Sequence, residues 1–432
     1  MLRAPHPRPR RCPARIESGH AIRQPPLLTS SVADLQSIGW PVNGRRADPA
    51  GVPADAFPPG WADLIDAHPH ARPARIVEQH RSGYLVAESP DTGDSAPNSG
   101  SSPNSYPAES LPEWTRPAQY RKGETAPEER PAVGDWVLVE GEGGSARIVA
   151  LLPRWSAIKR GAAGEHYRQQ LIAANVDTVF VVSGLDDDFN PRRIERYLLL
   201  VRGAGDAGEQ PAIEPVIVLT KADLAEAATP GAVADAVEAL RALGDESLAV
   251  CAVNARDRDS VAALAPWLRP GRTAVLVGSS GAGKSTLTNS LLGIERMKTG
   301  EVRESDSRGR HTTTHRALIP LPSGACLIDT PGMRELKPTG EEDVGESFAD
   351  IEALAGQCRF RDCAHAREPG CAVRAAIEAG TLDPQRFANY LKLRDEVAGA
   401  ADKLADRLAQ KSQARVQSKA LNKRLDDKYG KR

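Results

Sequence analysis

No stretch of the chain approaches the roughly 18–20 consecutive apolar residues of a membrane-spanning helix. The longest strand-like apolar runs are Val176–Val182 and Val216–Leu219. A bilayer span is excluded, and no membrane partner is expected. The N-terminus carries Arg3, Arg8, Arg10 and Arg11 among prolines. It lacks the apolar core of about 7–15 residues that a secretory signal needs, so a cytoplasmic protein is expected. Cysteine is scarce, six in 432 residues, too few for a disulfide scaffold. Net charge is nearly absent: 56 Lys and Arg stand against 57 Asp and Glu, a balance of −1. That excludes a molecule that is basic as a whole but leaves local basic patches open. Aromatic residues make up 4% and apolar residues 40%. The apolar share lies slightly under the usual range of about 45–50%, so part of the chain is expected in tails or linkers. The remainder is long enough for three domains of roughly 150 residues.

Residues 1–66 are rich in Pro, Arg and Ala and have little periodicity. This predicts a flexible extension with one short helix around Val32–Ile38. Period-two alternation then runs through Arg75-Ile76-Val77-Glu78, Gly83-Tyr84-Leu85-Val86, Val133–Val139 and Ala146–Leu152, predicting a small all-β module over 67–155. An insertion near 89–110 is dense in Ser, Pro, Asn, Gly and Asp. That composition buries too little surface to offset its ordering entropy, and the insertion is predicted to be disordered. After Pro153, apolar strands at Thr178–Val182, Val216–Leu219, Leu248–Val253, Thr273–Val277 and Ala325–Ile328 alternate with helical stretches such as Arg192–Arg202 and Pro230–Leu243. Such alternation predicts a parallel sheet covered on both faces. Strand patterns end after Gly340, and Pro384–Lys428 has helical periodicity without an internal proline.

Gly278-Ser279-Ser280-Gly281-Ala282-Gly283-Lys284-Ser285 follows the strand Thr273–Val277 and opens a helix, the context that gives G-x-x-x-x-G-K-[ST] its meaning as a phosphate loop. Glycines let successive N–H groups turn toward the phosphates, Lys284 neutralises β/γ oxygens and the Ser285 hydroxyl ligates Mg²⁺. Asp329-Thr330-Pro331-Gly332 ends another strand. There the carboxylate of Asp329 can hold Mg²⁺ through water and the Gly332 amide can meet the γ-phosphate. Thr220-Lys221-Ala222-Asp223 ends a third. Asp223 can accept from guanine N1–H and its exocyclic amine, which selects GTP over ATP. Each tetrapeptide alone is a common turn or helix cap; three at successive strand ends are not. Their order is unusual. Thr220–Asp223 and a counterpart at Asn254-Ala255 precede the phosphate loop, His311–Thr314 and Asp329–Gly332, so the usual GTPase motifs are circularly permuted, which nearby domain termini allow.

A glutamine that orients the attacking water in Ras-like enzymes is replaced here by Met333, so unassisted turnover is expected to be slow. Gly309–Thr314 offers substitutes. Thr312 or Thr313 is a candidate magnesium ligand, and His311 either orients water once the loop is ordered or is a loop imidazole without a role. The segment after Gly332 leads into the C-terminal module, so nucleotide state is expected to shift that module.

Cys358, Cys363, His365 and Cys371 present three thiolates and an imidazole within 14 residues. This is the donor set of a closed tetrahedral Zn²⁺ site, substituting for a core too small to fold alone. On the terminal helix, Lys403, Arg407, Lys411, Arg415, Lys419 and Lys423 recur every four residues. They form a slowly winding basic stripe, which in isolation is either a solvated face or a surface for RNA phosphates.

With these motifs together, the chain resembles the RsgA-type circularly permuted GTPases. The likeness is carried by Pro131–Val137, Leu152-Pro153-Arg154, Ala174–Asp177, Thr220–Asp223, Gly278–Thr286, Gly309–Thr314, Asp329–Gly332 and Cys358–Val373, and covers about residues 70–400. It departs from the family at Thr220, where many members have Asn, at Asn254, where Ser is usual, in the insertion, and in the long extension. The resemblance implies a multidomain α/β protein. An OB-fold β-barrel (67–155) precedes a circularly permuted P-loop GTPase domain (156–338) and a zinc-binding, helical domain (339–432). It implies hydrolysis of GTP to GDP and phosphate, stimulated by the small ribosomal subunit, in late subunit assembly. The implied nucleotide-binding residues are Thr220, Lys221, Asp223, Asn254, Ala255, Gly278–Thr286, Asp329 and Gly332. His311, Lys284 and Thr313 are the catalytic candidates, Ser285, Thr313 and Asp329 the magnesium ligands, and one Zn²⁺ is structural. GTP or GDP and the small subunit with its rRNA are the expected partners of a monomer. A nucleotide-switched RNA-binding adaptor, in which hydrolysis only resets binding, stays open beside this enzyme.

Overall fold

The computed structural model describes residues 35, 38–40, 60–80, 83–88, 105–111, 114, 129–141, 145–161, 169–204, 213–241, 243, 248–294, 316–329 and 337–429. Helix α1 (Trp61–Ala67) leads into five short strands: β1 (Arg72–His80), β2 (Gly83–Ala87), β3 (Ser105–Ala108), β4 (Trp136–Glu140) and β5 (Arg147–Leu151). β1 pairs antiparallel with both β2 and β4, β2 with β3, and β4 with β5. A parallel bridge between Glu109 and Arg147 brings the end of β3 to β5, so the path curls back on itself. Alternate residues Ala74, Ile76, Val86, Val137, Val139 and Ile148 fill its interior, as the period of two requires.

Two expectations are corrected here. Ser105–Ala108, inside the segment expected to be disordered, is strand β3. It is held by its register with β2 and by the Tyr106 hydroxyl donating to Glu88, while residues 89–104 lie outside the described residues. The expected flexible extension through residue 66 does not hold for Trp40 and Trp61, which are buried in the main core with Trp136 and with Leu35 and Ile38 from the stretch expected as a short helix. Trp40 packs edge-on to Trp136 with centroids 4.8 Å apart and tilts against Trp61 at 5.2 Å, and the Trp61 indole N–H donates to Pro153 O at 2.8 Å. Aromatic area of this size is too costly to leave in water, which a window dominated by Pro and Arg conceals.

Beyond a two-stranded antiparallel unit, β6 (Ala157–Gly161) and β7 (Gln169–Ala174), the chain builds the second sheet. Its strands are β8 (Thr178–Gly184), β9 (Glu214–Thr220), β10 (Ala249–Ala252), β11 (Thr273–Gly278), β12 (Ala317–Pro320) and β13 (Cys326–Asp329). In space the order is β10-β9-β8-β11-β13-β12, parallel except for β12. β8 and β11 are buried along their whole length, which is why they read as unbroken apolar runs. The helices are α2 (Pro191–Arg202), α3 (Ala222–Ala228), α4 (Ala232–Arg241), α5 (Arg258–Val261) and α6 (Lys284–Leu292). Asn190 caps α2, its side chain accepting from the N–H groups of Arg192 and Arg193, with Pro191 at the first helical position. A single register pair, Glu78 with Ala317, joins β12 to β1 and makes the two sheets continuous.

Arg75 sits at that junction with no exposed surface. Its guanidinium donates to Gly134 O at 3.2 Å, Thr273 Oγ1 at 2.9 Å, Asn175 O at 3.4 Å and Ile38 O. One side chain thus ties β1, the Leu35–Trp40 segment and the first residue of β11. The C-terminal module is helical: α7 (Val344–Ser347), α8 (Ala349–Ala355), α9 (Ala372–Glu378) and the 46-residue α10 (Pro384–Tyr429). Phe348, Ile351, Val373, Phe387, Tyr390 and Leu393 form its core, which also takes in Leu199 of α2.

Candidate nucleotide site and metal centre

The motif residues meet at the carboxyl ends of the parallel strands, where α/β sheets place ligands. Gly278 closes β11 with φ 147°, and a Cβ there would lie 2.1 Å from Val182 O, so only glycine fits. Gly281 and Gly283 also have positive φ, 80° and 87°, which turns the loop and leaves α6 to begin at Lys284 without a side-chain cap. Its first N–H groups are thereby left for a ligand. Ser285 and Thr286 lie in that first turn. The Lys284 ammonium lies along the loop, donating to Gly278 O at 2.9 Å and to Ser279 O at 2.5 Å.

Thr220 ends β9 with no exposed surface, and its hydroxyl donates to Ala282 O at 2.7 Å. The base-side motif therefore touches the phosphate loop directly; a Cβ on Gly283 would come within 3.1 Å of the same hydroxyl. Lys221 has φ 60° and pairs with Asp186, and Asp223 is exposed in the first turn of α3. Asn254 and Ala255 follow β10. The Asn254 carboxamide accepts from Arg256 N at 2.9 Å within its own turn, while Ala255 O accepts from Ser290 of α6 at 2.5 Å. Asp329 ends β13 beside β11. Thr330, Gly332, Met333 and the whole of Gly309–Thr314, with His311, Thr312 and Thr313, lie outside the described residues.

Motif reading passed over the loop after β8. Asp186 and Asp188 belong to none of the motifs, yet Asp186 holds Lys221 and Asp188 accepts from the Ser279 hydroxyl. The available signal was positional: β8 ends between the strands that carry the two motifs.

In the C-terminal module the ligand atoms of Cys358, Cys363, His365 and Cys371 all lie within 4.8 Å of one another. His365 Nδ1 is 3.6 Å from Cys358 Sγ and 3.4 Å from Cys371 Sγ, and the two sulfurs are 3.9 Å apart. Zinc–sulfur bonds of about 2.3 Å set tetrahedral edges of about 3.8 Å, so the donor set fits one Zn²⁺. Local backbone supports it: His365 takes φ 59°, and Cys371 caps α9, accepting from Arg374 N.

A phosphate loop at the end of β11, with Asp329 on the adjacent β13 and Thr220–Asp223 at the end of β9 one strand beyond β8, and reached in shifted chain order, defines a circularly permuted P-loop GTPase. Residues 151–339 match the model of the RsgA GTPase family. The chain is 63% identical over 386 residues to the small ribosomal subunit biogenesis GTPase RsgA of Xanthomonas campestris pv. campestris, covering 89% of this chain and 94% of that protein. It is 62% identical over 386 residues to the RsgA of Xanthomonas axonopodis pv. citri, with the same coverage. The chain belongs to the RsgA GTPase family. A crystal structure of YjeQ from Thermotoga maritima aligns with 76% of this chain and 99% of its own at 23% identity and a TM-score of 0.49. Among the described residues no helix is long and apolar enough to cross a membrane.

Proposed function

We propose that the chain binds GTP with Mg²⁺ at the strand-end site, hydrolyses it to GDP and phosphate, and does so in assembly of the small ribosomal subunit, the process named for its 63%-identical relative. The observation that carries this reading is the Thr220–Ala282 hydrogen bond. It joins the base-selecting motif to the phosphate loop across 62 residues of chain in reversed motif order, as one nucleotide spanning both would require. In this reading Gly278–Thr286 cradle the phosphates, and Lys284 exchanges its carbonyl acceptors for β/γ oxygens. Thr220, Lys221, Asp223, Asn254 and Ala255 surround the base, and Gly332 meets the γ-phosphate. Ser285, Asp329 and Thr313 would hold Mg²⁺, which neutralises developing charge on the phosphates. His311 orients the attacking water.

The N-terminal five-stranded path, with β1 central and β3 bridged to β5, supports an OB-fold over 67–155, a nucleic-acid-binding scaffold. The GTPase domain then spans 156–338, and the zinc-binding and helical domain 339–432. One Zn²⁺ held by the three cysteines and His365 leaves no open position, so its role is structural. α10 is one continuous helix, and the basic residues at four-residue spacing suit it to rRNA. The protein acts as a cytoplasmic monomer.

Met333, where a water-orienting glutamine would stand, implies slow unassisted turnover, which fits both the stimulated enzyme and a second reading, an RNA-binding adaptor that hydrolysis only resets. Single-turnover and steady-state GTP hydrolysis, with and without small subunits, separates the two. Multiple turnovers accelerated by subunits support the enzyme; one turnover per binding event, unaccelerated, supports the adaptor.

A further inference from the structure

β8 lies between β9, which ends at Thr220 just before Lys221, and β11, which leads into the phosphate loop. The loop after β8 is thus flanked by both halves of the site, and its two carboxylates are divided between them. Asp186 pairs with the Lys221 ammonium through one oxygen, and its other oxygen accepts from the backbone N–H of Asp188 at 3.2 Å. Asp188 accepts from the Ser279 hydroxyl with one oxygen and from Arg193 with the other. The first carboxylate therefore sets the turn that aims the second. Arg193 is itself fixed in the first turn of α2, where its N–H donates to the Asn190 side chain at 3.3 Å.

A carboxylate beside a polyphosphate site opposes binding by charge, so its presence asks for a compensating role. Burial alone would raise the Asp188 carboxyl, but hydrogen bonds from Arg193 and Ser279 outweigh it and hold the group below the ordinary aspartate range. The charge is thus matched by neighbours, and what remains is the geometry it imposes.

We propose that Asp186 and Asp188 are positioning residues that fix the separation between the base-binding and phosphate-binding halves of the nucleotide site. The proposal rests on the nucleotide reading above. GDP engages both halves through one covalent molecule, so its affinity depends on their relative placement as well as on the strength of each half. Guanosine and pyrophosphate each engage one half and do not sense that placement.

The test uses the full-length protein and its Asp186→Asn and Asp188→Asn variants, each checked by thermal melting, titrated with GDP, guanosine and pyrophosphate. GDP is expected to weaken about 5–20-fold in both variants, while guanosine and pyrophosphate each change less than about twofold. Unchanged or tighter GDP binding in Asp188→Asn would overturn the proposal in favour of simple charge relief. Equal loss for GDP and for one of its fragments would overturn it in favour of a local structural role. An unsubstituted chain that binds no GDP would overturn the nucleotide reading itself and the proposal with it, an outcome visible before any variant is made.

Discussion

Glu195 on α2 and Arg386 on α10 form a buried ion pair at 2.5 Å, both side chains no more than 5% exposed. Arg192 lies 3.1 Å from the same Glu195 oxygen as a second cation, the Asn389 amide donates to the other oxygen at 2.8 Å, and Arg386 reaches Asp350 at 2.7 Å. A second cross-link, Arg196 to Glu396 at 2.6 Å, runs parallel to it. α2 thus ties the GTPase domain to the C-terminal module, alongside the Lys159–Glu341 ion pair from β6. The same helix carries Arg193, the partner of Asp188.

Removing one partner of a buried pair costs far more than replacing both, because it leaves an uncompensated charge. Arg386→Met is expected to destabilise the chain by about 3–5 kcal/mol in denaturant melts, and Glu195→Leu/Arg386→Met to recover most of that loss. Burial pushes the Glu195 carboxyl above the ordinary glutamate value of 4.5, against the pull of Arg192 and Arg386. A raised folded pKa contributes stability fully present below 4.5 and lost as pH rises through the folded value. Without Arg386 that rise is larger, so acidification from pH 7 toward 5 should narrow the gap between Arg386→Met and the parent.

Thr220→Val keeps the volume but removes the donor to Ala282 O. An unpaired buried carbonyl costs about 1–3 kcal/mol. The unliganded loop can relax to solvate that carbonyl, and binding must then restore the geometry, so GDP binding measured by titration should weaken by up to about tenfold, given about 1.4 kcal/mol per decade. Thr220→Asn, which can still donate to that carbonyl, should retain most of the affinity.

The donor set of the metal centre predicts one zinc per chain by elemental analysis. Cys358→Ser or Cys371→Ser should abolish it and unfold the module around Phe348, Phe387 and Tyr390. Loss of hydrogen-exchange protection in α8 and α9, with β8 and β11 unchanged, would show this.

Arg75→Lys is not conservative, since an ammonium cannot reach the four oxygens that the guanidinium fork spans. With two or more carbonyls left unpaired, a loss of about 2–4 kcal/mol is expected, read by chemical denaturation.

How much of this was legible in the sequence follows from where the information is local. The phosphate loop, Thr220–Asp223, Asp329 and the zinc donors are short motifs whose chemistry fixes residue type and spacing, and the strands under them are buried on both faces and read as apolar runs. β12 and the β6–β7 pair escaped because short, half-exposed strands carry little periodicity and depend on their partners. Leu35, Ile38 and Trp40 were hidden by the Pro- and Arg-rich composition around them. Arg75 looked like the polar half of an alternating strand, and its burial follows from the docking of two sheets. Asp186 and Asp188 belong to no motif; their role depends on the position of β8 in the sheet, which only topology supplies.

The central claim is that motifs in permuted order converge on one guanine-nucleotide site. Its most direct test is competition of GDP and ADP for the full-length protein and for Asp223→Asn, with xanthosine diphosphate as a third ligand. A carboxylate at 223 accepts from the two N–H groups of guanine, and a carboxamide pairs instead with xanthine, which carries a carbonyl in place of the amine. The expected result is a preference for GDP over ADP of at least about 100-fold in the parent, transferred to xanthosine diphosphate in Asp223→Asn. Equal affinity of the parent for GDP and ADP, or a GDP preference that Asp223→Asn leaves intact, would contradict the account.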